Sequence, residues 1–248
     1  MIKGVLFDKD GTLIDFNSLW IGAAIWSIDE IIRLNNLPIK LQQYLLQTIG
    51  VVKGKITVDA PLAYKTYKEI AKDIVESLAK VNIHLATETM AKQLMFFFEQ
   101  FILLKKGEYK EVADTKEIIK ELKKEGIVVG LSTADTKELA IDCLTKLDVL
   151  NEFDYIGSDD GIISSKPNPE MIHDFMRKYS LSADEIVVVG DTYNDILFAK
   201  RGGAIAVGVL SGVSKREDFR GEADFIIESI AEISSIVKCK ELEQIMIM

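Results

Sequence analysis

Cysteine, histidine and basic charge are all scarce in this chain of 248 residues, which has 2 cysteines, 2 histidines, and 30 lysines and arginines against 39 acidic residues. Cys143 and Cys239 stand far apart with no further cysteine or histidine patterned around them, so neither a disulfide framework nor a thiolate zinc site is indicated. A reducing cytoplasm is the expected compartment. The formal charge of -9 argues against a nucleic-acid partner, because phosphate backbones are held by basic patches. Long apolar runs are missing as well: the longest, residues 94–104, is interrupted by Glu99 and Gln100 and is too short to span a bilayer. The opening Met1-Ile2-Lys3-Gly4 enters a strand directly and lacks the layout of a signal peptide. A soluble protein that does not engage a membrane is expected. Internal repeats and low-complexity tracts are absent, and His84 and His173, each without a neighbouring partner, suit surface or capping positions better than catalysis.

What is present is acidic and sharply placed. The apolar run Val5-Leu6-Phe7 ends in Asp8-Lys9-Asp10-Gly11-Thr12. Aspartate disfavours strands, so the run marks a strand end and the carboxylates mark the start of a loop, where α/β folds carry their chemistry. A second run, Ile186-Val187-Val188-Val189, leads in the same way into Gly190-Asp191-Thr192-Tyr193-Asn194-Asp195. Both read as buried parallel strands. If the two lie side by side, Asp8, Asp10, Asp191 and Asp195 gather at one sheet edge, where carboxylates would raise one another's pKa unless a cation sits among them. Oxygen donors with few nitrogens or thiols favour Mg²⁺.

The length allows one large domain or two modest ones. Residues 17–107 carry helical periodicity and almost no strand signal, with helices predicted at 19–34, 41–49, 63–80 and 87–104. After Gly107 helix and strand alternate: 115–124 helix, 127–131 strand, 136–147 helix, 155–156 strand, 169–179 helix, 186–189 strand, 196–201 helix and 204–209 strand. That rhythm predicts a parallel sheet with helices on both faces. The expected division is 1–15 with 108–248 as an α/β, Rossmann-like core and 16–107 as an inserted all-helical domain.

The segment Asp8-Lys9-Asp10-Gly11-Thr12-Leu13 resembles the first motif of the haloacid dehalogenase superfamily, whose members are mostly Mg²⁺-dependent phosphohydrolases. Three further motifs follow in the family's order: Ser132-Thr133-Ala134 after a strand, Lys166 in Ser165-Lys166-Pro167-Asn168-Pro169-Glu170, and Gly190-Asp191 with Asp195. Together they cover residues 8 to 195. The helical block resembles the family's cap. Many relatives re-enter the core through a Pro-Gly pair, whereas here the stretch reads Glu108-Tyr109-Lys110-Glu111-Val112.

The resemblance implies a role for each position. Asp8 would attack phosphorus to give an aspartyl phosphate, and Asp10 would serve first as general acid and then as general base. A second aspartate at this spacing separates the chain from the dehalogenases, which lack it, and from the cation-pumping ATPases, which carry threonine. Mg²⁺ would be held by Asp8, the backbone carbonyl of Asp10, Asp191 and, directly or through water, Asp195. Thr133 would donate its hydroxyl and Ala134 its N–H to the phosphoryl oxygens, while Lys166 would neutralise their charge and keep Asp8 ionised. Thr12 is expected to order its loop by hydrogen bonding. Read as plain structure, Asp10 would be a turn or N-cap carboxylate, Asp191 would cap the helix that follows, and Ser132, Thr133 or Asp135 would cap the helix after 136.

Gly50-Val51-Val52-Lys53-Gly54-Lys55 looks like a phosphate-binding loop but has one residue too few between its glycines and follows no buried strand. Phe96-Phe97-Phe98 with Phe101 reads as helix core, or as a face for a partner subunit. The overall likeness is to the phosphoglycolate phosphatase-like branch, which predicts a small-molecule phosphate ester as partner and a monomer or homodimer; Trp20, Trp26, Arg33 and Lys53 are candidates to meet the leaving group. A β-phosphoglucomutase-like phosphomutase, a phosphonatase using Lys53 or Lys55, and a non-catalytic phospho-ligand module are the alternatives.

Overall fold

The computed structural model describes residues 1–57, 60–104, 109–159 and 164–238. Its strands, in chain order, are β1 (Gly4–Phe7), β2 (Val51–Val52), β3 (Lys55–Ile56), β4 (Val128–Ser132), β5 (Tyr155–Gly157), β6 (Ile186–Gly190), β7 (Ile205–Val209) and β8 (Phe225–Ile227). Six of them form one sheet in the order β5-β4-β1-β6-β7-β8, and every pairing in it is parallel. Val, Ile and Leu dominate β1, β6 and β7 because these strands are covered on both sides and need no polar face.

The chain falls into two compact units, Met1–Asp15 with Lys110–Met248, and Phe16–Tyr109. In the first unit, Leu6, Val188 and Ala206 on one side of the sheet pack with Ile172, Phe175, Phe198 and Phe219. The chain leaves this unit and returns to it along a short pairing, in which the Asp15 N–H donates to the Lys110 carbonyl at 2.8 Å and the Val112 N–H to that of Leu13 at 3.0 Å. The Glu111 carboxylate accepts from the Thr115 N–H at the start of the next helix. Glu108 lies outside the described residues.

The second unit is helical. Its main helices are Phe16–Leu34, Gln42–Thr48, Tyr67–Ala79 and Thr87–Leu104. Aromatic rings bind the first to the last: Trp20 lies tilted against Phe98 at 5.6 Å between centroids, and Trp26 meets Phe97 edge-on at 5.8 Å. Phe97, Phe98 and Phe101 therefore belong to the core, as does Trp20, while Phe96 is 54% exposed. The helix expected over 63–80 is broken. Lys65 is extended, and Thr66 begins a new helix with a reciprocal capping box, its N–H donating to Glu69 Oε2 at 2.9 Å and its Oγ1 accepting from the Glu69 N–H.

The loop that looks like a phosphate cradle is instead a two-residue hairpin between β2 and β3. Lys53 and Gly54 both have positive φ, 51° and 70°, which is the turn that right-twisted strands require. Among the described residues no helix is long and apolar enough to cross a membrane. Cys143 is free and buried; Cys239 lies outside the described residues.

Candidate active site

Sheet register delivers the site. Phe7 aligns with Leu131 of β4 and with Val189 of β6, so Asp8, Ser132 and Gly190 come level at the carboxyl edge, with Thr133 and Asp191 one residue further on. The Asp8 N–H donates to the Val189 carbonyl at 2.8 Å, which fixes where its side chain leaves the sheet. A crevice at the carboxyl ends of neighbouring parallel strands is where α/β sheets bind ligands.

Asp8, Asp191 and Asp195 each present an oxygen within 4.8 Å of the others, and all three residues are buried. The Lys166 ammonium spans two of them, 2.6 Å from Asp8 Oδ1 and 2.5 Å from Asp195 Oδ1. Asp195 is held from behind as well, its Oδ2 accepting from the Thr192 N–H and hydroxyl at 3.0 and 2.5 Å. Thr192, rather than Asp191, caps the helix Tyr193–Gly202. Asp191 instead accepts from the Val213 N–H at 2.8 Å, beside Ser211, whose hydroxyl donates to the Gly11 carbonyl at 2.8 Å.

Burial pushes the Asp8 carboxyl up to about 7; Lys166 pulls the other way, and the carboxylates of Asp195 and Asp10 add to the rise. Asp191 is driven well above the usual carboxylate range by burial first and then by Asp8 and Asp195. Burial disfavours the Lys166 ammonium, yet Asp195 and Asp8 outweigh it and raise the lysine above its ordinary value. Three carboxylates against one ammonium leave two negative charges when all are ionised. A donor set of hard oxygens with that residual charge fits a divalent cation of the Mg²⁺ kind.

The remaining predicted residues lie around this cluster. Thr133 is buried at the end of β4, its N–H donating to the Gly157 carbonyl at 3.0 Å and its Oγ1 accepting from the Asp135 N–H at 3.1 Å; Ala134 follows it, half-buried. The Asp10 carboxylate is not among the three clustered oxygens and is paired with Lys9 at 2.6 Å. Thr12 departs from expectation: its hydroxyl is buried with no hydrogen-bond partner among the described residues, so it does not order the loop by that means. His84 and His173 are exposed.

Lys9 is the residue that pattern reading passed over. It is 1% exposed, and its ammonium lies 2.6 Å from Asp10 Oδ2 and 2.9 Å from Asp135 Oδ2. Burial disfavours its charge, but Asp10 and Asp135 more than compensate and raise its pKa well above the ordinary value. The signal available in the sequence was a lysine bracketed by two aspartates at the end of a wholly apolar strand.

The sequence matches the haloacid dehalogenase-like hydrolase family over residues 2–203. It is 26% identical over 242 residues to a phosphoglycolate phosphatase of Vibrio vulnificus, covering 95% of this chain and 96% of the relative. It is 27% identical over 237 residues to the pyrophosphatase PpaX of Bacillus pumilus, at 95% and 96% coverage. Among solved structures, a predicted phosphoglycolate phosphatase from Haemophilus somnus superposes with a TM-score of 0.71 at 22% identity, covering 96% of this chain and 98% of the other. A β-phosphoglucomutase from Clostridium difficile superposes with a TM-score of 0.70 at 17% identity and full coverage of both chains. At those identities the two structures speak for the fold.

Proposed function

The chain belongs to the haloacid dehalogenase-like hydrolase family, and from that premise we propose that it is a Mg²⁺-dependent phosphatase that hydrolyses a small organic phosphate monoester through an aspartyl phosphate at Asp8. The observation that carries this reading is the single ammonium of Lys166 spanning Asp8 and Asp195 with Asp191 alongside. Relatives named as phosphatases over nearly their whole length support the same class.

Phosphate monoesters resist hydrolysis so strongly that the site must remove on the order of 20 kcal/mol of barrier, most of it by positioning and charge neutralisation. In our reading an Asp8 oxygen attacks phosphorus while the ester oxygen leaves with a proton from Asp10. Asp10 then takes a proton from the water that clears the acyl phosphate, so that one carboxyl serves both steps. Lys166 draws Asp8 toward its ionised form and balances the phosphoryl charge, and the Thr133 hydroxyl with the Ala134 N–H donates to the phosphoryl oxygens. Mg²⁺, held by Asp8, the Asp10 carbonyl, Asp191 and Asp195, would supply further neutralisation of charge on the phosphoryl group. The first unit is then the catalytic core and the helical insertion the cap. A reducing cytoplasm and a monomer or homodimer complete the reading.

The phosphoglycolate phosphatase relative favours a small carboxylated phosphate as substrate, with a sugar phosphate as the other candidate. Release of inorganic phosphate from 2-phosphoglycolate, hexose phosphates, pyrophosphate and 4-nitrophenyl phosphate, with and without Mg²⁺, tests it. Mg²⁺-dependent turnover of an alkyl ester supports the proposal. Preference for pyrophosphate moves the activity to anhydride hydrolysis, and interconversion of hexose phosphates without release moves it to a mutase.

A further inference from the structure

Lys9 connects two loops that the proposed chemistry needs held together. Asp10 stands on the loop after β1, and Asp135 on the loop after β4, where its N–H donates to Thr133 Oγ1 at 3.1 Å. The Lys9 ammonium lies 2.6 Å from Asp10 Oδ2 and 2.9 Å from Asp135 Oδ2. Its backbone works on the same turn: the Lys9 carbonyl accepts from the N–H groups of Leu13 and Ile14 at 2.9 and 3.1 Å. A lysine that only solubilised the loop would extend into water, whereas this one is 1% exposed. Buried charge is tolerated when it is paired, and here the pairing crosses from one strand end to the next.

We propose that Lys9 is a positioning residue for the proton-transfer step: its ammonium clamps the Asp10 carboxyl to Asp135, and so fixes Asp10 relative to the Thr133 loop that would hold the phosphoryl oxygens. The inference rests on the phosphatase reading above. In the step it serves, a bond forms between an Asp8 oxygen and phosphorus and the ester P–O bond breaks. The electron pair of that bond stays on the leaving oxygen, which takes the proton carried by Asp10. An acid displaced by even a small distance fails a leaving group that must be protonated and is hardly missed by one that departs as a stable anion.

The test compares kcat/KM, which covers the steps through departure of the leaving group, for the best alkyl phosphate and for 4-nitrophenyl phosphate in the presence of Mg²⁺. Lys9→Met is expected to lower the alkyl value by on the order of 10²-fold while the aryl value changes by less than about threefold. Asp135→Asn, which keeps both Lys9 and Asp10, is expected to show the same selective loss to a smaller extent, and it decides alone if Lys9→Met does not unfold cooperatively. Equal loss on both esters, or wild-type values on both, overturns the clamp. Asp10→Asn separates this failure from that of the underlying reading: selective loss there without selective loss in the other two variants leaves Asp10 as the acid and removes Lys9. No selective loss in Asp10→Asn, or no ester turned over by wild type, removes the parent assignment and the inference with it.

Discussion

Gly212 and Asp191 leave each other no room: a Cβ at position 212 would lie 1.9 Å from Asp191 Oδ2. The next residue, Val213, donates its N–H to that oxygen at 2.8 Å, so the loop after β7 grips the acid by close backbone approach. Gly212→Ala is expected to displace either Asp191 or the loop, to cost roughly 1–3 kcal/mol of stability and to weaken the response to Mg²⁺. Ser211→Ala, which removes one hydrogen bond to the Gly11 carbonyl, should cost only about 1 kcal/mol. Thermal unfolding of both variants with and without Mg²⁺ checks the order; a Gly212→Ala protein as stable as wild type contradicts it.

Lys166 is the cation shared by Asp8 and Asp195. Lys166→Met would strand two buried carboxylates, and removal of one side of a buried pair costs about 3–5 kcal/mol. We expect a large fall in the denaturation midpoint together with loss of turnover. Because the loss comes from uncompensated charge, acidification should restore part of the stability. Urea titration at pH 5 and pH 8 measures both effects, and a variant equally stable at the two pH values would count against this origin.

Metal binding at the cluster would compete with protonation. Carboxylates in an unfolded chain ionise near 4, whereas folding pushes Asp8 up to about 7 and Asp191 in the same direction. Between these values the folded protein holds more protons than the unfolded one, so the stability of the metal-free protein falls as pH rises through the window. A divalent cation needs the ionised carboxylates and displaces those protons. Mg²⁺ is therefore expected to raise Tm more at pH 8 than at pH 5. Scanning calorimetry in Mg²⁺ and in chelator reads the difference, and an equal rise at both pH values contradicts it.

Cys143 should be inert. Burial pushes its thiol up to about 12, although the nearby Lys9 draws it down. The thiolate is the reactive form, so almost none is present at neutral pH. In a Cys239→Ser background, a disulfide reagent at pH 8 should modify the native protein only at the rate of unfolding. Modification within the mixing time would contradict both the burial and the raised pKa.

The parts of the fold written in continuous apolar runs could be read directly. β1 and β6 sit side by side because both are covered on two faces, and their terminal aspartates then meet at the sheet edge. Elements made by tertiary context were less visible. β8 has three residues, too few for a period, and the hairpin of β2 and β3 depends on a turn geometry that a string of glycine and valine does not announce. The helical pattern over 63–80 hid the extended Lys65 because Thr66 and Glu69, which restart the helix, also fit a helix interior. Lys9 was missed for a related reason: its partner Asp135 lies far along the chain, and a lysine in a loop reads as solvated until the second carboxylate is seen beside it.

In the proposed chemistry Asp8 carries the phosphoryl group. Acid quench of the enzyme during Mg²⁺-dependent turnover, followed by peptide mass mapping, tests it most directly. One added phosphoryl group is expected on the peptide containing Asp8, lost on treatment with hydroxylamine, with neither adduct nor turnover in Asp8→Asn. Wild-type turnover by Asp8→Asn, or a phosphoryl group on another residue, would contradict it.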